Sequence, residues 1–187
     1  VAACYYACIS QIDHHVGRMI ERRKARGFYD NTLIVFTADH GDYMGCHHQI
    51  LKGGLMYDPL VKVPLIVKWP GGRRAGRVSR ELVNNVDLAP TLVRAAGLEP
   101  PAAMSGQDLD RGVDREIVFA EAAHRMARTG GEKLLLCDPR ERSCYFDLSA
   151  DPLELENLFE EPDRQEEIAR LERALSEWTG PDARPFE

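Results

Sequence analysis

Apolar residues recur every three or four positions along residues 5 to 27, and Gly27 ends the pattern. This spacing predicts an amphipathic helix with one apolar side. Residues 32 to 37 are rich in β-branched side chains and apolar on both faces. Because a strand of this kind is covered on both sides, it is typical of the centre of a parallel sheet. Residues 63 to 69 predict a second strand, whose early proline indicates a strand start or a sheet edge.

Turn residues dominate the segment between these two strands. Glycines and a proline interrupt any regular period over residues 42 to 62, so we predict a loop there. A short helix is expected between Asp87 and Gly97, because aspartate favours helix N-termini and glycine ends helices.

The pattern of apolar and turn residues changes after a proline-rich connection at about residue 100. Short apolar runs separated by turn signals predict strands at residues 117–120, 133–136 and 144–148, which suit an antiparallel sheet. Residues 163–178 predict a last amphipathic helix. We therefore expect an α/β protein with a mostly parallel sheet core from residues 1–97. A C-terminal subdomain, residues 98–187, should add a small antiparallel sheet and a C-terminal helix.

Composition excludes several classes of protein. The chain has 187 residues, 44% hydrophobic content and a net charge of −6, which argues against a nucleic-acid partner. No segment approaches the roughly 18 apolar residues of a membrane span. The chain begins without Met and shows no signal segment. We expect a truncated start, and the compartment stays open between cytoplasm and periplasm.

Five cysteines occur without a repeated spacing, which fits neither a zinc site nor a disulfide framework. We interpret all of them as buried free thiols. Cys137 and Cys144 are expected to face each other across a hairpin. Three histidines are interpreted as ordinary residues without a role in a site: His14, His15 and His124.

Candidate chemistry is concentrated where the first strand ends. Asp39 and His40 follow the strand and precede Gly41, and Lys52 comes thirteen residues after Asp39. Ligands bind at the carboxyl ends of strands in open α/β sheets. Gly41 allows a sharp turn, so that both side chains can point into one cleft. A carboxylate and an imidazole bind divalent metals, and a lysine stabilises an oxyanion.

These residues resemble the sulfatases of the alkaline phosphatase superfamily. The matching segments follow the family's order along nearly the whole chain: Thr37-Ala38-Asp39-His40-Gly41-Asp42, then Lys52, Tyr57-Asp58, Val63-Pro64-Leu65-Ile66-Val67, Asp87-Leu88-Ala89-Pro90-Thr91, and Tyr145-Phe146-Asp147-Leu148 with Asp151-Pro152, Glu156 and Asn157-Leu158. The resemblance implies an alkaline-phosphatase-like fold and hydrolysis of a sulfuric ester, on a small molecule or a glycan.

The resemblance also implies roles for single residues. Asp39 and His40 match two metal ligands, for Ca²⁺ first and for Mg²⁺ or Mn²⁺ as alternatives. Lys52 matches the lysine that holds the sulfate and offsets charge on the leaving oxygen. His47 and His48 fall where relatives carry a histidine near the substrate. Asp42 is expected to make hydrogen bonds within the loop.

The family nucleophile is a formylglycine made from Cys or Ser in the motif C/S-x-P/A-x-R. Cys137-Asp138-Pro139-Arg140 approaches this motif, but Glu141 stands where the arginine belongs. It also follows the Asp39-His40 pair instead of preceding it, so we reject Cys137 as the nucleophile. Ca²⁺ prefers about six to eight ligands, which two side chains do not supply. We expect the formylglycine and the first metal ligands in a missing N-terminal half, and no turnover by these 187 residues alone.

Two alternatives stay open. One is a phosphonate or phosphate monoester hydrolase of the same superfamily, which the His47-His48 doublet before Lys52 also fits. The other is a non-catalytic binding module that keeps the fold without the chemistry.

Overall fold

The computed structural model describes residues 2–179. Contacts group this part of the chain into two compact units. The first unit contains residues 2–38 and 63–79, and the second contains residues 39–62 and 80–179. Because these units do not separate at residue 97, the domain boundary expected there stays a prediction.

The first unit begins with a long helix, α1 (Ala2–Ala25), none of whose residues is buried. Helix α1 ends as its sequence predicts, because Gly27 adopts φ of 71° and its amide donates to the carbonyl of Lys24. The apolar side that the spacing predicted is largely exposed, with Tyr6 at 67% and Met19 at 68%.

The two strands of the first unit pair with each other. β1 (Ile34–Thr37) and β2 (Leu65–Lys68) are antiparallel, with Phe36 opposite Ile66. The expectation that residues 32 to 37 lie in a parallel pair is therefore wrong for the strands within residues 2–179. A continuous apolar run predicts that both faces of a strand are buried, but it does not predict whether the neighbouring strand is parallel or antiparallel. Phe36 and Ile66 are themselves exposed, at 37% and 62%.

The second unit contains a four-stranded antiparallel meander. Its strands are β3 (Val118–Glu121), β4 (Arg125–Arg128), β5 (Glu132–Leu136) and β6 (Cys144–Asp147), in that spatial order. The predicted antiparallel sheet is confirmed, and β4 is a strand that the sequence analysis missed.

Both faces of this sheet are covered. Helix α4 (Gln165–Thr179) packs Ile168, Leu171 and Leu175 against one face. The other face packs against Met56, which belongs to the segment that follows Asp39 and His40. That segment is not entirely a loop, since it contains a short helix, α2 (Asp58–Val61). Helix α3 (Leu88–Ala95) completes the second unit and matches the predicted helix.

The cysteines differ from the expectation of five buried thiols. Cys137 and Cys144 are buried, but the other three are exposed: Cys4, Cys8 and Cys46. Cys4 and Cys8 are exposed because α1 buries no residue. No helix among residues 2–179 is both long and apolar enough to cross a bilayer.

Candidate functional site

Asp39 and His40 are held in a defined mutual geometry. The amide of His40 donates to Oδ1 of Asp39 at 3.0 Å, and Nε2 of His40 lies 3.8 Å from Oδ2 of Asp39. Nδ1 of His40 lies 2.7 Å from the carbonyl oxygen of Gly41, so Nδ1 must carry the proton and donate it. This tautomer leaves the lone pair of Nε2 available to a metal beside the carboxylate.

The electrostatics keep the Asp39 carboxylate ionised. The hydrogen bond from the backbone of His40 is the main cause that lowers the pKa of Asp39, and the charge of Lys52 adds to it. The Asp39 side chain is 89% exposed and that of His40 is 41% exposed. The pair therefore fits part of a divalent-metal site. Within residues 2–179, no cluster of three or more acidic, histidine or cysteine residues completes it.

Gly41 connects the pair to helix α2. Its amide donates to the carbonyl of Leu60 at 2.7 Å, and a Cβ at this position would lie 2.0 Å from the carbonyl oxygen of Pro59. Only glycine permits this close approach of two backbones. On the other side, Nδ2 of the Asn85 side chain donates to the backbone carbonyl of Asp39 at 3.3 Å. The backbone of the pair is thus fixed from two directions.

The segment after Gly41 folds around Tyr43, which is fully buried and donates from its hydroxyl to the carbonyl of Leu55. Asp42 accepts a hydrogen bond from the amide of Met44 at 2.8 Å, which confirms its predicted role within the loop. Lys52 is exposed on this segment. Its positive charge is the smallest of the contributions that lower the pKa of Asp39.

His47 and His48 lie on the same loop, both with positive φ. The ring of His47 stacks on Tyr57, with ring centroids 3.9 Å apart and an interplanar angle of 7°. His48 is exposed. In the described part of the chain, neither histidine forms a hydrogen bond or an ion pair with Asp39 or Lys52, and their place at the substrate stays a prediction.

A group of four charged residues lies beneath α2, and we call it the buried charge cluster: Asp58, Arg128, Lys133 and Glu154. The ammonium of Lys133 lies 2.8 Å from Oδ1 of Asp58 and 2.7 Å from Oε1 of Glu154. Arg128 lies 3.2 Å from Oδ2 of Asp58. The backbone amide of Asp58 donates to Glu154 at 2.6 Å.

This cluster fixes the charge state of Asp58. Burial alone would raise the pKa of Asp58, but the positive charges of Lys133 and Arg128 outweigh it and lower the pKa. Since Asp58 begins the helix whose Leu60 accepts from Gly41, the cluster holds the backbone beside Asp39 and His40 to the C-terminal sheet.

The sequence analysis missed most of this cluster. The last segment that resembles the family, residues 145–158, is called the C-terminal signature. Its glutamate was assigned to Glu156, which is exposed, whereas Glu154 is buried and makes the contacts. Lys133 was missed because it precedes three leucines, and a lysine at the start of a strand is expected to face solvent. The usable signal was the signature's own spacing, since Glu154 lies two residues after Pro152.

The loop of Lys52 also borders a cavity of about 260 Å³. Its lining residues are Gln49, Gly54, Leu55, His124 and Arg142. A Cβ at Gly54 would lie 3.6 Å from Nε2 of His124, so the loop and the residues around β4 meet here. His124, which the sequence analysis treated as ordinary, is therefore a cavity residue.

Cys137 has the properties of an unreactive thiol. It is 3% exposed, and burial, with the neighbouring Cys144, raises its pKa to about 11. A neutral buried thiol is a poor candidate for modification or nucleophilic attack. This agrees with its rejection as the nucleophile.

Comparison with known proteins relates this geometry to characterised enzymes. The family model described as Sulfatase matches residues 1–98. An arylsulfatase of Clostridium perfringens is 32% identical over 92% of this chain and 39% of its own length. An N-acetylglucosamine-6-O-sulfatase of Bacteroides thetaiotaomicron is 31% identical over 89% of this chain and 34% of its own length. The chain thus spans little more than a third of these curated relatives.

Solved structures agree with these relatives. A protein solved in complex with its substrate D-glucosamine-2-N,6-O-disulfate is 28% identical, with a TM-score of 0.82. The match covers 91% of this chain and 38% of that one. A phosphonate monoester hydrolase of Agrobacterium radiobacter is 27% identical, with a TM-score of 0.79 over 89% of this chain and 38% of that chain.

Proposed function

The chain belongs to the sulfatase family, and we propose from this that the protein containing it is a metal-dependent sulfuric ester hydrolase. The observation that carries the proposal is one local arrangement. Asp39, His40 and Lys52 lie on one segment, with the carboxylate ionised, Nε2 of His40 available and the lysine exposed. These are a metal-binding pair and a cation for an oxyanion.

Each residue has a distinct task in this proposal. The Asp39 carboxylate and Nε2 of His40 would hold a divalent cation, Ca²⁺ in the first instance, with Mg²⁺ or Mn²⁺ as alternatives. The cation would supply stabilisation of negative charge on a sulfate oxygen. Lys52 would bind the sulfate and offset the charge that develops on the leaving oxygen. His47, fixed against Tyr57, would border the anion, with His48 beside it in the sequence.

The nucleophile is proposed to lie outside these 187 residues, as a formylglycine. Cys137 is buried and lacks the arginine of the motif, and the relatives are more than twice as long as this chain. The apolar residues exposed on α1 and β2 indicate a surface that a partner covers. We propose that this partner is the remaining N-terminal part of the same protein.

The substrate class follows from the relatives only as a proposal. Relatives act on aryl and glycan sulfate esters according to their names. We propose a small-molecule or glycan sulfate ester for this protein too.

Turnover by the whole protein tests the function. We expect hydrolysis of an aryl sulfate that depends on added Ca²⁺, and a loss of about a hundredfold to a thousandfold in kcat for Lys52→Ala, the size expected for removing a transition-state donor. Lys62→Ala is the matched control, since Lys62 is exposed on the same segment. Equal activity of Lys52→Ala and wild type would contradict the proposal. Residues 1–187 alone should be inactive.

Metal binding separates an enzyme from a non-catalytic module. Calorimetry with Ca²⁺, Mg²⁺ and Mn²⁺ should show binding to the whole protein that Asp39→Ala abolishes. Binding by neither would favour the module that has lost the chemistry.

A second candidate is a phosphonate monoester hydrolase, which the Agrobacterium structure supports at 27% identity. The rates at which one preparation of the whole protein hydrolyses an aryl phosphonate and an aryl sulfate decide between the two candidate functions. A kcat/KM higher for the phosphonate would favour this candidate.

A further inference from the structure

The cavity beside the loop of Lys52 is built by two distant parts of the chain. Gln49, Gly54 and Leu55 form one side, and His124 and Arg142 form the other. Gly54 follows Lys52 by only two residues, so this wall is continuous with the proposed sulfate-binding lysine. The volume of about 260 Å³ is below the roughly 300–1,000 Å³ of drug-sized pockets and suits a group the size of one ring.

Arg142 is the charged residue of this cavity. Its guanidinium forms no ion pair with any acidic residue among residues 2–179, whereas Arg140, on the same 3₁₀ turn (Arg140–Arg142), pairs with Glu172. Arg142 is an exposed residue, so its guanidinium is accessible to a ligand. It presents a planar set of donors, which match the oxygens of a carboxylate or a sulfate.

The remaining lining supports an anionic ligand. Gln49 and His124 provide polar groups, and no acidic residue lines the cavity. The side chain of Gln49 is confined, because its Oε1 would lie 2.3 Å from a Cβ at Gly53. Gly53 and Gly54 therefore bring the backbone close to Gln49 and His124 and keep this side of the cavity narrow.

We propose that this cavity binds a second oxyanion, a carboxylate or a further sulfate, on the organic part of the ester, and that Arg142 is its principal ligand. The proposal rests on the proposed function, since it places the hydrolysed sulfate at Lys52 and the second anion in the cavity that the loop of Lys52 borders. It names the substrate class as a doubly anionic, ring-sized ester.

Substrates with and without the second anion test the proposal in the whole protein. Arg142→Ala should lower kcat/KM at least tenfold for a disulfated or a carboxylated monosaccharide sulfate, and leave an uncharged aryl sulfate within twofold. Arg142→Lys should recover part of the loss, and Arg140→Ala, the control on the same turn, should leave both substrates within twofold. Comparison of the disulfated with the carboxylated sugar identifies which oxyanion is preferred. Equal losses on all substrates, or no loss on the doubly anionic ones, would overturn the proposal.

Binding distinguishes failure of this proposal from failure of the proposed function. If no ester is hydrolysed, the affinity of the whole protein for glucosamine disulfate and for a sulfated uronate is measured by calorimetry. A tenfold weaker dissociation constant in Arg142→Ala, with Arg140→Ala unchanged, supports the anion site without the enzyme. Binding that is equal in the three proteins, or absent from all, overturns it.

Discussion

Lys133 and Glu154 form an ion pair of 2.7 Å, and both side chains are completely buried. The same ammonium lies 2.8 Å from Asp58, so one lysine joins the β5 strand, the C-terminal signature and helix α2. A buried ion pair contributes little net stability against an apolar replacement of the whole set, but removal of one partner leaves a charge without compensation.

Replacement of Lys133 by methionine should destabilise the second unit strongly. The variant leaves Glu154 without its cation and Asp58 with only Arg128 and the exposed Lys62, so we expect a loss of about 3–5 kcal/mol in the free energy of unfolding. Urea denaturation measures it. Lys62→Met is the control, because Lys62 lies 3.8 Å from the same Asp58 but is 72% exposed, and should change stability by at most about 1 kcal/mol. Similar losses of stability in Lys133→Met and Lys62→Met would contradict the conclusion that the buried ion pairs of Lys133 hold the second unit together.

Stability should depend on pH through Asp58. Its pKa is lowered in the folded protein, relative to an ordinary value of 3.8. The unfolded chain therefore binds the proton more readily, and the contribution is complete above about pH 4 and is lost as the pH falls through the lower folded value. Unfolding free energies measured from pH 7 to about pH 2 should show this contribution unchanged down to about pH 4 and lost below it. Asp58→Asn should be less stable at pH 7 and should lose less stability on acidification than wild type.

The part of the structure that follows from local pattern was predictable. The 3.6-residue spacing of residues 163–178 yields α4, whose Ile168, Leu171 and Leu175 are buried. The strand β4 was missed because Arg125 and Arg128 flank only two apolar residues, Met126 and Ala127, and Arg128 pairs with Asp58, which lies 70 positions away in the sequence. Periodicity carries no information on such partners.

The candidate site also has one part that the sequence predicts and one part that it does not. The pair of Asp39 and His40 was recognisable because its residue types and the glycine that follows are contiguous. The residues that hold the pair in place could not be recognised from the sequence. Asp58 contacts Lys133, which is 75 positions away in the sequence, and Glu154, which is 96 positions away. The antiparallel partner of β1 was missed for the same reason, since strand direction is set by the chain's path and not by side-chain pattern.

Substitution of Gly41 by alanine should disturb Asp39 and His40, the proposed metal-binding pair. The new Cβ would meet the carbonyl oxygen of Pro59 at 2.0 Å and force the backbone of His40 away from α2. We expect a cost of about 1–3 kcal/mol in stability and at least tenfold weaker Ca²⁺ binding by calorimetry. Gly130→Ala is the control, because nothing lies within 4 Å of its Cβ position. Unchanged metal affinity in Gly41→Ala would show that the contact with Pro59 does not hold the pair.

Thiol reactivity should separate the five cysteines. Cys4, Cys8 and Cys46 are exposed, whereas burial raises the pKa of both Cys137 and Cys144. At pH 8 we expect Ellman's reagent to titrate three thiols rapidly in the native chain and all five in guanidinium chloride. Cys46→Ser should lower the rapid count to two. A rapid fourth thiol would show that the sheet opens around Cys137 or Cys144.

The chain of 187 residues should associate with itself when it is isolated. Phe36 and Ile66 lie opposite each other on β1 and β2 and are both exposed, and α1 of the same unit has further exposed apolar residues. Light scattering should detect oligomers, and Ile66→Lys should reduce them. Val78→Lys should not, because Val78 is a single exposed residue at 91% and lies outside the elements of the unit. A monodisperse monomer would contradict this prediction.

The buried charge cluster also imposes an order on biosynthesis. Asp58 leaves the ribosome long before its two buried partners, Lys133 and Glu154, are translated. Until then its carboxylate has neither of the contacts that hold α2 and, through Leu60, the backbone of Gly41. We expect the segment that carries Lys52 to stay open to proteases in nascent chains that stop before residue 154, and to become resistant once the C-terminal signature has emerged.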